Sequence, residues 1–246
     1  LLMDWLLTMA EERGEKPQDK VAVSTIVSSA MPDVLARARG FEMRRVLTGF
    51  KYIGDQIDQL KDAGEEDRFL MGFEESYGYL VGTHARDKDA IVATMLCVEM
   101  ASWYAARNMD LYEAMDALYQ RYGYYLNGVV NAAYPGAEGA AKMAEIMSGL
   151  RKNPLEMVGN YKVVGVTDYA ECAEMPRVSG LQKEAPQTLP ASNVIEYRLE
   201  GDNKVIFRPS GTEPKVKAYL FANGKTREEA EARIAELSEA AQKVLS

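Results

Sequence analysis

Apolar positions along the first half of the chain change rhythm repeatedly between helical and strand-like spacing. Leu1–Met9 (LLMDWLLTM) reads as the interior of an amphipathic helix, Val21–Thr25 as a short β-branched strand, and Pro32–Arg39 as a second helix. Met43–Leu47 follows as a strand, Tyr52–Lys61 as a helix and Arg68–Gly72 as the next strand. Strands separated by helices of about ten residues predict a mixed α/β/α sheet domain, in which loops at the strand ends carry ligand contacts. Phe73–Gly82 (FEESYGYLVG) is too polar and too punctuated by glycine for a core strand, which predicts a loop. The run from Asp89 to Arg107 is apolar on nearly all sides, which predicts a helix covered by other elements.

Asp110–Tyr122 continues as a helix, Gly123–Ala133 resembles a strand leading into a Tyr134-Pro135-Gly136 turn, and Ala137–Leu150 reads as one more helix. Arg151–Pro154 (RKNP) is charged and ends in a proline, so a linker is expected there, dividing residues 1–152 from residues 158–246. Beyond it the texture becomes four strand candidates, Tyr161–Asp168, Asn193–Leu199, Lys204–Phe207 and Val216–Phe221, with a proline-dotted segment at 176–190. A C-terminal helix follows, opened by Thr226 with Glu229 three residues on as a capping box, and carrying Ala230, Ile234, Leu237, Ala241 and Leu245 on one stripe. This half predicts a smaller α+β domain with a four-stranded sheet and a C-terminal helix.

Composition narrows the chemistry. In 246 residues, 47% hydrophobic and 27% charged, disorder is excluded, and the net charge of −8 offers no broad basic field for nucleic acid. The most apolar stretch, Ala90–Ala106, is interrupted by Thr94, Glu99 and Ser102 and is shorter than a bilayer span of roughly 20 residues, so no membrane partner is expected. Cys97 and Cys172 form no disulfide framework, which places the chain by default in a reducing cytoplasm, and the single histidine, His84, excludes a multi-histidine zinc site. The opening at the interior of a helix leads to the expectation that the chain is cut from something longer.

Two segments carry most of the candidate chemistry. In Arg208-Pro209-Ser210-Gly211-Thr212-Glu213-Pro214-Lys215, between two strand candidates, Arg208 can grip an oxyanion bidentately, Ser210 and Thr212 can donate, and Gly211 lets backbone N–H groups approach closely. Lys215 and Lys217 add positive charge, and the set suits a phosphate dianion, although a tight hairpin turn with incidental polar residues has the same composition. In Gly72–Gly78 (GFEESYG), two acids and a serine in a glycine-flanked loop can hydrogen-bond vicinal hydroxyls, as sugars are held, while a solvated acidic loop is the bland alternative. Thr48-Gly49-Phe50-Lys51 at a strand end and His84-Ala85-Arg86-Asp87-Lys88 before a helix add N–H groups and cations that favour anions.

Taken together, TGFKYIG at 48–54, GFEESYGYL at 72–80, HARDKDA at 84–90 and RPSGTEPK at 208–215 resemble the signatures of the α-D-phosphohexomutase superfamily, and within it the bacterial phosphoglucomutase branch. The resemblance runs in order over nearly the whole chain and rests on several independent loops. It implies the third and fourth domains of a four-domain enzyme that interconverts glucose 1-phosphate and glucose 6-phosphate through a phosphoserine, with Mg²⁺ and glucose 1,6-bisphosphate as cofactors. By the same resemblance Glu74 and Ser76 contact the sugar, Arg208, Ser210, Gly211 and Thr212 hold phosphate, and Lys51, His84, Arg86 and Lys88 line the cleft.

The departures from the family pattern matter equally. The chain has no phosphoserine loop and no Asp-x-Asp-x-Asp-Arg run for magnesium, so it offers no catalytic residue and no metal ligands of its own. The expected partners are a phosphorylated hexose and the missing N-terminal domains of the same protein, and the chain alone is expected to bind without turnover. A free-standing phosphosugar-binding module, or a mutase for mannose, pentose or glucosamine phosphates, remains open.

Overall fold

The computed structural model describes residues 1–136, 138–171, 174–175, 187–211 and 213–246. Cys172, Thr212 and the part of the proline-dotted segment from 176 to 186 lie outside the described residues. The chain forms two compact units, Leu1–Tyr122 with Glu174–Gln187, and Gly123–Ala173 with Thr188–Ser246. Among the described residues no helix is long and apolar enough to cross a membrane.

The first unit alternates as its sequence predicts: α1 (Leu2–Glu12), β1 (Val21–Thr25), α2 (Met31–Arg39), β2 (Glu42–Val46), α3 (Phe50–Asp62) and β3 (Phe69–Glu74). β4 (Gly78–Leu80), α4 (Ala90–Ala105) and α5 (Leu111–Tyr122) complete it. The sheet order is β2-β1-β3-β4, with β1 parallel to β2 and β3, and β4 antiparallel to β3. Val21, Val23, Val46 and Phe69 bury one face of this sheet against Phe50, Ile53, Ile57 and Leu60 of α3. Ala22, Met43 and Met71 are fully buried on the opposite face, where α1 and α2 pack on β3 and β2. Gly72 is required by this packing, since a Cβ there would lie 2.3 Å from Ile53 Cγ2.

Two expectations for this unit are corrected. Part of the segment predicted as a loop is strand, because Glu74 pairs with Gly78 and Gly72 with Leu80, leaving only residues 75–77 as a hairpin turn. Tyr77 takes the left-handed conformation (φ 62°) that such a three-residue turn calls for. Helix α4 is not covered on all sides: Ile91, Met95 and Val98 are 83%, 52% and 61% exposed, and Cys97 is exposed as well. The helix packs on α1, α5 and β4 through one side, with Ala93, Met100 and Tyr104 buried.

The second unit contains β5 (Tyr124–Ala133), α6 (Gly139–Lys152), β6 (Met157–Val158) and β7 (Tyr161–Asp168). Two short strands, β8 (Glu174–Met175) and β9 (Gln187–Thr188), pair with each other, and the segment Glu174–Gln187 that holds β8 and the start of β9 belongs to the first unit. The chain then continues through β10 (Ile195–Leu199), β11 (Lys204–Pro209), β12 (Lys215–Gly224) and α7 (Arg227–Leu245). The main sheet has six strands, in the order β5-β12-β11-β10-β7-β6, where four were expected. The four expected strands are its centre; β5 joins β12 along a ten-residue antiparallel register and β6 pairs with β7. That pairing of β5 divides the units at Tyr122/Gly123, whereas the sequence placed the boundary at 150–158. Arg151 and Lys152 are the last turn of α6, and Arg151 is tied to Asp168 through two hydrogen bonds of 2.8 and 3.2 Å.

Val205 and Phe207 of β11, Val216, Ala218 and Leu220 of β12, and Leu237, Ala241 and Leu245 of α7 share one core with Met147 and Leu150 of α6. Thr226 caps α7 by accepting from Glu229 N–H at 3.2 Å, and Glu229 reaches back to Lys225 N–H at 2.7 Å, one residue before the position of an ideal capping box.

Candidate functional site

The carboxyl ends of the parallel strands β1, β2 and β3 bring their loops to one edge of the first sheet. In the order β2-β1-β3-β4 the connections after β1 and β3 diverge, so the switch point where open α/β sheets bind ligands lies between those two strands. Strand alternation at the end of β3 decides where the acids go. Glu74 lies on the α3 side and is buried, and its Oε1 accepts from Gly49 N–H at 2.8 Å. Gly49 sits at φ 129°, a conformation open to glycine, immediately before α3. Lys88 Nζ stands 3.9 Å from Glu74 Oε2 and 5.1 Å from the Phe50 ring centroid, so the carboxylate and ammonium share one polar spot over an aromatic face. Gly78 makes room for this arrangement, because a Cβ there would fall 2.5 Å from Lys88 Cδ.

Glu75 turns the other way. Its Oε2 accepts from Thr25 Oγ1 at 3.1 Å and lies 3.5 Å from Ser28 Oγ, at the carboxyl end of β1. Ser76, the residue after these two acids, is exposed in the hairpin turn, with Tyr77 beside it.

The remaining residues predicted for this site have other engagements. Arg86 donates to Asp58 Oδ1 (2.7 Å) and to the carbonyls of Thr83 (2.7 Å) and Ala85 (3.0 Å), and its own backbone packs on Gly54 of α3. His84 Nε2 lies 2.8 Å from Asp89 Oδ2, while Asp89 Oδ1 accepts from Ile91 and Val92 N–H and caps α4. The Val92 N–H first, and the His84 ring next, hold the Asp89 carboxyl below the usual aspartate range. Lys51 is exposed in the first turn of α3 with its Nζ 4.8 Å from the Tyr52 ring centroid. The structure therefore gathers Glu74, Lys88 and Gly49 N–H, and leaves His84 and Arg86 in local contacts.

In the second unit Arg208 and Lys217 occupy directly opposed positions on β11 and β12. Val205, Phe207, Val216 and Ala218 point into the core, so alternation sends Arg208 and Lys217 to the other face, with Asn131 of β5 opposite Lys217. Both cations are half-buried, and among the described residues neither has a carboxylate within ion-pair distance. The turn joining the strands is closed by Ser210 N–H donating to Lys215 O and Lys215 N–H donating to Glu213 O, each at 2.8 Å. Ser210 Oγ accepts from Glu213 N–H at 3.3 Å. Gly211 is exposed, with open space where a Cβ would be. Lys215 pairs with Glu213, whose carboxyl is held below the usual glutamate range by that lysine first and by the charge of Lys217 further away. Of the two lysines predicted beside the loop, Lys215 has a carboxylate partner and Lys217 stands with Arg208.

The magnesium implied by the resemblance needs oxygen ligands in a converging set. Among the described residues no three His, Cys, Asp or Glu side chains are grouped to hold a metal ion, so the donor set does not fit that ion and no step is derived through it.

Against known families, residues 2–122 match the model described as phosphoglucomutase/phosphomannomutase, alpha/beta/alpha domain III, which is the extent of the first unit's leading segment. The chain belongs to the phosphoglucomutase/phosphomannomutase family. A phosphoglucomutase of Staphylococcus aureus (strain bovine RF122 / ET3-1) is 33% identical over 217 residues, which is 87% of this chain and 38% of the relative. One from Staphylococcus haemolyticus (strain JCSC1435) is 32% identical over 223 residues, 91% of this chain and 39% of the relative. The chain thus spans well under half the length of these curated relatives. Among solved structures, the parafusin (phosphoglucomutase) of Paramecium in its open form aligns over 91% of this chain and 37% of its own, with a TM-score of 0.63 at 18% identity. A putative phosphomannomutase of Thermus thermophilus covers 98% of this chain and 40% of its own, with a TM-score of 0.58 at 16% identity. At such identities these two speak for the fold.

Sequence reasoning missed Thr25, Ser28, Gly49 N–H as the Glu74 donor, and Asn131. The first two are signalled only by a strand order that one chain does not reveal. The pairing of Arg208 with Lys217 was within reach, since a hairpin closed at 210–215 sets that register.

Proposed function

We propose that this chain is the substrate-binding part of a phosphoglucomutase, its first unit recognising sugar hydroxyls through Glu74 and Ser76 and its second recognising the non-reacting phosphate through Arg208, Lys217, Ser210 and Gly211. The observation that carries the reading is the opposed pair Arg208 and Lys217. Like charges directly across a β-ladder destabilise it, and a tetrahedral dianion between them turns that cost into two charge-assisted hydrogen bonds. Glu74 supports the sugar half: a carboxyl group held by Gly49 N–H, with Lys88 Nζ 3.9 Å away, still has lone pairs for two vicinal hydroxyls.

The parent reaction, transfer between the 1- and 6-positions of glucose phosphate, needs an in-line nucleophile and a metal that neutralises developing charge. Residues for neither stand in the two loops described, so we assign this chain binding and orientation, and no turnover by itself. The glucose branch is favoured by the doubled acid Glu74-Glu75 and by the names of the staphylococcal relatives.

Isothermal titration of the chain with glucose 6-phosphate tests the reading. Binding is expected, with Arg208→Ala weakening it by about 1.5–3 kcal/mol, the range for a hydrogen bond to a charged group. Equal affinity of the variant removes Arg208 from the site. Mannose 6-phosphate and glucosamine 6-phosphate run in parallel decide the sugar.

A further inference from the structure

We propose that Glu75, which the family resemblance gives no role, is a positioning residue whose carboxylate latches the sugar-recognition turn to the end of β1; this rests on the sugar-binding reading of Glu74 and Ser76. The turn is short and anchored on both sides. Glu74 is held to Gly49 N–H at 2.8 Å on the α3 side, and Glu75 to Thr25 Oγ1 at 3.1 Å, with a longer contact to Ser28 Oγ, on the β1 side. Ser76 directly follows the two anchored acids, and Tyr77 completes the turn in a left-handed conformation that a non-glycine residue holds only at some cost.

The receiving end of the latch is rigid. Thr25 and Ser28 are almost wholly buried, and their hydroxyls lie 2.9 Å apart. Arg45 donates to Thr25 O at 3.0 Å and to Ser29 O at 2.6 Å, and is itself fixed by Asp33 on α2. A half-exposed glutamate that served only solvation would extend into water or seek a cation. Glu75 instead turns toward two buried hydroxyls at the β1/β3 switch point, and the direction in which Ser76 projects follows from where that carboxylate is tied.

The test is titration of wild type, Glu75→Ala, Glu75→Gln and Thr25→Val with glucose 6-phosphate, using inorganic phosphate as a second ligand and thermal melting as a check of folding. Glu75→Ala and Thr25→Val are expected to weaken glucose 6-phosphate binding about tenfold while leaving phosphate binding unchanged, and Glu75→Gln, which keeps an acceptor for Thr25, to bind within about twofold of wild type. Wild-type affinity in Glu75→Ala overturns the latch. So does an equal loss for inorganic phosphate, which marks a global effect, and so does a Glu75→Gln as weak as Glu75→Ala. If Glu75→Ala does not fold, Thr25→Val carries the same comparison. Absence of any glucose 6-phosphate binding by the wild type removes the underlying reading, and the latch with it.

Discussion

Replacing Lys217 with methionine separates a binding residue from a structural one, because the two roles predict opposite signs. Lys217 faces Arg208 directly across the β11/β12 ladder, where its ammonium repels the guanidinium. Methionine keeps most of the stem and removes the charge. An unfavourable cross-strand charge pair costs roughly 0.2–1 kcal/mol. The attraction between Lys217 and the exposed carboxylate of Glu213 offsets part of it, which places the expected gain toward the lower end of that range. For a chain of this length such a gain raises the melting temperature by roughly 0.5–2 °C. Affinity moves the other way: loss of one charge-assisted hydrogen bond to a phosphate oxygen costs about 1.5–3 kcal/mol, or roughly ten- to a hundredfold. Differential scanning calorimetry without anions gives the first quantity, and titration with inorganic phosphate the second. A variant that melts lower and binds as wild type refutes the argument, since Lys217 would then contribute to the fold and not to the anion.

Other perturbations test other parts of the structure. Glu42 and Arg44 form a buried ion pair on β2, extended by Gln56 and Arg68, so Glu42→Ala leaves a buried guanidinium short of its counter-charge and is expected to cost about 3–5 kcal/mol in urea unfolding. Gly139 opens α6 against the carbonyl of Tyr134, where an added Cβ would lie 1.9 Å from the oxygen; Gly139→Ala is expected to destabilise the second unit by at least ~1–3 kcal/mol, read from the same unfolding curves. Asp89 has its carboxyl depressed by the Val92 N–H and the His84 ring, so its contribution is present above the unfolded value of about 3.9 and is lost as pH falls through the lower folded value. Thermal melts of wild type and Asp89→Asn between pH 2 and pH 6 are expected to converge at the acid end and separate above it, and parallel curves throughout would remove Asp89 as the cap.

The alternation of helix and strand in the first unit was legible in the sequence because it rests on local periodicity. Each of Val21–Thr25, Met43–Leu47 and Arg68–Gly72 falls on an observed strand within one or two residues. What failed depended on partners distant in sequence. Gly123–Ala133 reads as a strand, but only its register with β12 assigns it to the second unit, and nothing within those eleven residues encodes that register. The apolar run in α4 carries no directional signal, so its sequence does not reveal that one side packs and the other meets solvent. The candidate site divides on the same line. Glu74 and Arg208 could be named as candidates because their motifs are contiguous, whereas Arg86 and Lys215, candidates from equally basic segments, are engaged by Asp58 and Glu213. Among the described residues no carboxylate stands within ion-pair distance of Arg208 or Lys217, and that is what makes this opposed pair the candidate for an anion. Motif reading therefore names candidate segments, and strand register decides which of their side chains face one another and which are paired with carboxylates.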